Sequence, residues 1–96
     1  MDKTALVTGA SRGIGFELAR LFAADGHDLV LVSRSPEELE KARRRLVEQH
    51  GVSVRYFSND LSRPGEALDL WREVEEAGVV VDFLVNNAGI VPAIEE

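Results

Sequence analysis

Short apolar runs alternate along the chain with longer segments of mixed polarity. The runs occupy residues 4–7, 29–32, 52–57 and 81–85. The first two are apolar at consecutive positions, which is typical of parallel strands covered on both faces. The pattern therefore predicts four short strands separated by three amphipathic helices.

The segment after the first run carries apolar residues at helical spacing. Ile14, Leu18, Leu21 and Phe22 stand at i, i+4, i+7 and i+8, which predicts one apolar face of a helix. Gly26 follows where a glycine that ends a helix is expected.

The second helix has a strong start signal. Ser35 is the expected N-cap, Pro36 the first helical residue, and Glu38 lies three positions after the cap. Gly51 is expected to end this helix. Its apolar stripe comprises Leu39, Ala42, Leu46 and Val47.

A third helix is predicted to open at Ser62 and to close at Gly78. Trp71 falls on its apolar stripe and is expected in the core. The full stripe comprises Ala67, Leu70, Trp71 and Val74.

The order β-α-β-α-β-α-β predicts an α/β fold with a parallel sheet. Right-handed crossovers place the first two helices on one sheet face. A partial Rossmann doubly wound sheet has strand order 3-2-1-4, with the third helix on the other face. A ligand crevice is then expected beyond the carboxyl ends of strands one and four. Residues 1–96 are predicted to form this single unit.

Composition narrows the function classes. The 96 residues carry a net charge of −6 and include no cysteine, which excludes disulfides and thiolate chemistry. No basic run is long enough to indicate a nucleic-acid partner. The apolar stretch near the N-terminus is too short for a signal peptide or a membrane span, so cytoplasm is the expected compartment. His27 and His50 lack metal-ligand spacing, and no metal site is predicted.

A glycine-rich turn joins the first predicted strand to the first helix. Gly9, Gly13 and Gly15 follow the spacing G-x-x-x-G-x-G. A helix N-terminus offers free N–H groups and partial positive charge to a pyrophosphate, and glycines let the ligand approach. The residues alone leave two interpretations open, a nucleotide site or a tight structural turn. No Gly-Lys-Ser/Thr follows, so the turn is not a P-loop.

Three motifs in order resemble those of the short-chain dehydrogenase/reductase family. They are the glycine turn that begins at Thr8, Asp60-Leu61, and Asn86-Asn87-Ala88-Gly89. The resemblance covers essentially the whole chain, and is nearest to reductases of acyl, steroid or aldehyde carbonyls. It implies a nicotinamide cofactor and hydride transfer between that cofactor and a carbonyl or alcohol.

The end of the second strand bears on which cofactor binds. NAD sites usually place a carboxylate there, to accept from the ribose 2′-hydroxyl. This chain has Ser33 and Arg34 instead, and a guanidinium suits phosphate oxygens. Arg12, in the glycine turn, is expected on the same side. The resemblance implies that these arginines bind the 2′-phosphate of NADP. The alternative, two ordinary exposed arginines, stays open.

The resemblance also implies contacts with the adenosine. Asp60 would accept from the adenine amino group, and Leu61 would line the ring pocket. Read from its position alone, Asp60 could equally be a turn residue before the third helix. The predicted cofactor-binding set is Gly9, Ser11, Arg12, Gly13, Ile14, Gly15, Ser33, Arg34, Asp60, Leu61, Asn87, Ala88 and Gly89.

The sequence predicts no catalytic residues in this chain. The family uses a tyrosine with a lysine four residues on, and an upstream serine. Here the single tyrosine is Tyr56, the fourth residue on is Asp60, and both lysines, Lys3 and Lys41, precede it. Tyr56 is therefore interpreted as a strand residue. The chain is predicted to be the NADP-binding portion of such an enzyme, truncated before the catalytic segment.

One alternative to an enzyme portion is a non-catalytic nucleotide-binding or interaction module. Another is a Rossmann-like domain for a different adenosine ligand, such as a methyl donor, but the Asn86-Asn87-Ala88-Gly89 motif and the Ser33-Arg34 pair argue against it. A small-molecule carbonyl or alcohol is the partner expected of a full-length form. Strand four is expected to expose an apolar edge, which predicts self-association.

Overall fold

The computed structural model describes residues 3–87, in which four strands alternate with three helices. The elements are β1 (Thr4–Thr8), α1 (Gly13–Ala24), β2 (Asp28–Ser33), α2 (Pro36–His50), β3 (Val54–Ser58), α3 (Glu66–Glu76) and β4 (Phe83–Val85). This confirms the predicted element order. Strand four is shorter than the predicted residues 81–85.

The four strands form one parallel sheet in the order β3-β2-β1-β4. In its register Val7 of β1 lies between Leu31 of β2 and Val85 of β4. The predicted order 3-2-1-4 is confirmed, and the carboxyl ends of all four strands meet at one edge.

Alternate residues of the central strand enter two separate cores. Ala5 and Val7 pack in a cluster with buried residues of α1 and α2, whereas Leu6 packs with Leu70 and Val74 of α3. Helices α1 and α2 therefore cover one face of the sheet and α3 covers the other, as predicted.

The predicted apolar face of α1 was wrong at Ile14 and Leu21, whereas Phe22 packs against the core as predicted. Ile14 is 71% exposed and Leu21 is 53% exposed. The helix instead buries Gly15, Ala19 and Ala23, together with Phe16. Small side chains at i, i+4 and i+8 bring the helix backbone close to the sheet, and Ile14 and Leu21 lie outside this contact.

Helix α2 has the start that the sequence predicts. The Oγ of Ser35 accepts a hydrogen bond from the N–H of Glu38 at 3.3 Å, and Pro36 is the first helical residue. Leu39, Ala42 and Leu46 are buried, as predicted.

The start of α3 differs from the prediction. The helix begins at Glu66 after Gly65, and Ser62 does not cap it. Both the N–H and the Oγ of Ser62 donate to Oδ1 of Asp60, at 3.1 and 2.6 Å. The side chain expected to cap the helix is therefore part of a local turn four residues earlier.

The predicted stripe of α3 was too wide. Leu70 and Val74 are buried, but Ala67 is exposed and Trp71 is 40% exposed. Trp71 is therefore not a core residue, because it lies outside the narrow contact that Leu70 and Val74 make with the sheet. Within residues 3–87 no helix is both long enough and apolar enough to cross a membrane.

Candidate functional site

A cleft of about 910 Å³ opens at the carboxyl ends of β1, β2 and β3. It collects residues from four parts of the chain that are far apart in sequence. Of the predicted cofactor-binding set it is lined by Gly9, Ser11, Arg12, Gly13, Ser33, Arg34, Asp60, Leu61 and Asn87. The fold therefore brings most of that set together.

The glycine turn forms one end of this cleft. Gly13 has a left-handed backbone (φ 65°) at the first position of α1. A Cβ at Gly15 would lie 1.9 Å from the carbonyl oxygen of Gly9, so the turn and the helix pack backbone against backbone. No side chain caps α1, whose N-cap is Arg12. The N–H groups of its first turn are thus free for an anion.

A hydroxyl joins the ends of β1 and β4 beside the turn. Oγ1 of Thr8 donates to Oδ1 of Asn86 at 3.1 Å and accepts from the N–H of Asn87 at 2.7 Å. Asn86 therefore bridges the two strands. Asn87 is held at the cleft wall by its backbone.

Serines and a carboxylate form a chain across the end of β2. The hydroxyls of Ser11 and Ser33 lie 3.1 Å apart, and Ser11 donates to Oε1 of Glu38 at 3.3 Å. A carboxylate only accepts, so Ser33 donates to Ser11 in this arrangement. Glu38 lines the cleft and was not predicted as a site residue. Its place in the first turn of α2, just after Ser33 and Arg34, is the signal that could have found it.

Both predicted arginines line the cleft, as Ser33 does. The Nη1 of Arg12 stands 3.9 Å from Oε2 of Glu38, and its side chain is 82% exposed. An exposed pair at this distance is weak and is easily exchanged for another anion.

Asp60 is both a turn residue and a cleft residue. Hydrogen bonds from the side chain and backbone of Ser62 hold the pKa of Asp60 below its ordinary value, and the charges of Arg34 and Arg63 add to this effect. The Asp60 N–H donates to Oε1 of Glu66 at 3.3 Å. Asp60 is therefore an ionised acceptor on a braced loop.

The neighbouring Asn59 was also missed as a cleft residue. It is 9% exposed, and its Nδ2 donates to the carbonyl of Glu66 at 3.2 Å. Its contact ties the loop after β3 to the start of α3. A single polar residue inside an otherwise polar loop gives no sequence signal for this role.

The remaining predicted site residues lie elsewhere. Ile14 is exposed and lines a second groove of about 510 Å³, which shares Ser11, Arg12 and Gly13 with the cleft. Gly15 lies behind the cleft against Gly9. Ala88 and Gly89 fall outside the described residues. Tyr56 lies within β3, as predicted.

Residues 3–96 match the model of the family described as short chain dehydrogenase. The chain belongs to this family. The prediction drawn from its three motifs is therefore confirmed.

Individual relatives agree with this assignment. The chain is 40% identical over 96 residues to an uncharacterised oxidoreductase of Bacillus subtilis, covering 98% of this chain and 37% of that protein. It is similar in structure to L-sorbose reductase from Gluconobacter frateurii complexed with NADPH and L-sorbose, with a TM-score of 0.86, 38% identity, and coverage of 93% and 34%.

A second solved structure is a short-chain dehydrogenase from Sphingobium yanoikuyae in complex with NADPH. It matches with a TM-score of 0.81 and 41% identity, covering 92% of this chain and 34% of that one. The chain thus spans about a third of the length of the relatives it matches.

Proposed function

We propose that the cleft binds NADP, and that this chain is the cofactor-binding portion of an oxidoreductase acting on a carbonyl or alcohol. One observation carries the proposal: Arg12 and Arg34 flank the cleft that reaches the uncapped start of α1. The NADPH complexes of the two similar structures support it.

The cleft offers donors and acceptors that fit each part of the dinucleotide. In the proposed mode the pyrophosphate lies at the N–H groups that begin α1, at Gly13. The 2′-phosphate lies between Arg12 and Arg34, where Ser33 supplies a hydroxyl and no acid ends β2.

The adenosine is proposed to lie along the part of the cleft that Asp60, Leu61 and Asn87 line. The ionised carboxylate of Asp60 accepts from the adenine amino group, while Leu61 lines the ring and Asn87 lies near the ribose. Ala88 and Gly89 belong to the same proposed set through the family motif. The glycine turn and the start of α1 complete it with Gly9, Ser11, Ile14 and Gly15.

NADP, when bound, supplies or accepts the hydride of the reaction. Reduction of a carbonyl also needs a proton donor close to its oxygen. Within residues 3–87 no tyrosine–lysine pair lines the cleft. The residues described here are therefore proposed to bind and orient the cofactor, and no proton transfer is assigned to them.

The proposal is tested by calorimetric titration of the chain with NADP and with NAD. We expect NADP to bind more tightly, and Arg34→Ala to weaken NADP binding about tenfold or more, since charge-assisted hydrogen bonds are worth about 1.5–3 kcal/mol. NAD binding should change little, because NAD has no 2′-phosphate.

Arg55→Ala is the matched control, because Arg55 is an exposed arginine on β3 that does not line the cleft. It should leave both affinities unchanged. Equal losses of NAD and NADP binding in Arg34→Ala would contradict the phosphate assignment. Failure of the folded chain to bind either dinucleotide would contradict the proposed function.

A further inference from the structure

The proposed phosphate site contains a carboxylate that does not come from the end of β2. Glu38 enters the cleft from the first turn of α2. Its two oxygens have different neighbours: Oε1 accepts from Ser11 at 3.3 Å, and Oε2 lies 3.9 Å from Nη1 of Arg12. The side chain is 43% exposed, so it is reachable by a ligand in the cleft.

Both groups that Glu38 contacts lie at the proposed site of the 2′-phosphate. Arg12 is proposed to pair with that phosphate, and Ser11 lies next to Ser33 at the same place. In the free protein Glu38 therefore lies beside Arg12 as a weakly held internal anion. A phosphate that takes Arg12 must replace this contact and then lie close to a like charge.

NAD meets a different situation at the same point. Its ribose carries a 2′-hydroxyl, which is a donor, and a carboxylate is a good acceptor for it. The carboxylate that disfavours the phosphate therefore favours the hydroxyl. Both effects reduce the difference in affinity between the two cofactors.

We infer that Glu38 is a specificity-determining residue that limits the preference of this cleft for NADP over NAD. The inference rests on the proposed function, since it assumes that the dinucleotide binds in this cleft. It assigns to one side chain of α2 a role that the arginines alone do not explain.

The test compares Glu38→Gln with the unaltered 96-residue chain. Glutamine keeps the length and the helix propensity of the side chain but removes its charge. The dissociation constants of NADP and NAD are measured by calorimetry at low salt and at 0.15 M salt, since screening weakens exposed charges. We expect the ratio of the NAD to the NADP dissociation constant to rise about fivefold to tenfold at low salt.

Glu37→Gln is the matched control. Glu37 lies in the same first turn of α2 and is exposed, but it does not line the cleft. Its loss changes the net charge and the charge at the helix start by the same amount. Circular dichroism and thermal unfolding of both variants establish that α2 is intact.

A rise of the ratio in Glu38→Gln alone supports the inference. An unchanged or lowered ratio overturns it, because Glu38 would then be neutral or would help to hold Arg12 for the phosphate. Equal rises in both variants also overturn it, since they would show that the ratio depends only on the overall charge of the chain. If the unaltered chain binds neither dinucleotide, the proposed function fails and the inference fails with it; if it binds both, the two claims are judged separately.

Discussion

A single methyl group added at Gly15 is expected to destabilise the fold strongly. Its Cβ would lie 1.9 Å from the carbonyl oxygen of Gly9 and 2.9 Å from Nδ2 of Asn87. Backbone cannot step aside as a flexible side chain can, so Gly15→Ala must move α1 away from the turn. We expect a loss of about 3 kcal/mol in the free energy of unfolding, at the upper end for overpacking, measured by urea denaturation.

Gly78→Ala is the control for this substitution. Gly78, unlike Gly15, has a positive φ (76°), but a Cβ there would meet nothing within 4 Å. It should cost only about 1 kcal/mol, from the left-handed backbone alone. Similar losses at the two positions would show that the close contact at Gly15 is unimportant.

Glu40 of α2 makes a pH-dependent contribution to the stability of the chain. Hydrogen bonds, first from Arg43 and then from Arg44, lower the pKa of Glu40 from 4.5 to about 2, against the opposing effect of burial. A lowered folded-state pKa contributes stability above the unfolded-state pKa, which is lost as the carboxylate takes up a proton. We expect the stability advantage of the unaltered chain over Glu40→Gln to be constant above about pH 5 and to disappear between pH 4.5 and about 2.

The measurement is a series of denaturation curves from pH 7 to pH 2. Glu48→Gln, at an exposed position of the same helix, is the comparison. A pH-independent difference between the unaltered chain and Glu40→Gln would contradict the assigned pKa.

Helices α2 and α3 start by different means, and two serines distinguish them. The Ser35 side chain accepts from Glu38 N–H, whereas Ser62 donates to Asp60. We therefore expect Ser35→Ala to cost about 1 kcal/mol, as the loss of an N-cap does. Ser62→Ala should not carry this cost and should instead raise the pKa of Asp60 towards its ordinary value.

Thermal unfolding followed by circular dichroism measures the first effect, and NMR titration of the Asp60 carboxyl measures the second. A loss of stability in Ser62→Ala as large as that in Ser35→Ala would mean that α3 begins at Ser62 after all.

The elements that the sequence predicted well are those decided by local pattern. Short apolar runs predicted the strands, and Ser35 with Pro36 predicted the start of α2. The buried face of α1 could not be predicted, because it depends on how closely a helix can approach a sheet. Small residues such as Ala19 allow that approach but rank below Leu21 in hydrophobicity.

The site residues show the same distinction between local sequence pattern and tertiary packing. Motif positions such as Gly9, Arg34 and Asp60 were predicted and lie on the cleft. Glu38 and Asn59 line the cleft but were not predicted. The place of Glu38 in the first turn of α2, soon after Arg34, is a signal that could have found it, whereas Asn59 lies in a polar loop that gives none.

At the scale of the whole molecule, the sheet face covered by α3 alone is the surface that should favour association. On this side of the sheet Leu84 of β4 is 57% exposed, and Leu68 of α3 itself is 58% exposed. Exposed apolar surface of this kind favours association. We expect the 96-residue chain to self-associate with rising concentration, and Leu84→Lys to shift it towards the monomer in sedimentation velocity.

Leu21→Lys is the comparison, because Leu21 is 53% exposed on α1, at the other face of the sheet. It should leave the association unchanged. A chain that sediments as a monomer at all concentrations would contradict the expectation.

The central position of β1 has a consequence for the time course of synthesis. One edge of β1 is closed by β4, where the N–H of Thr4 meets Oδ2 of Asp82 at 2.9 Å, 78 positions along the chain. At about 5–20 residues per second, about 4 to 16 seconds separate the translation of these two residues. An inner strand of the finished sheet is thus an edge strand until β4 has been translated, and for those seconds the unpaired backbone on that edge is open to any nascent chain nearby.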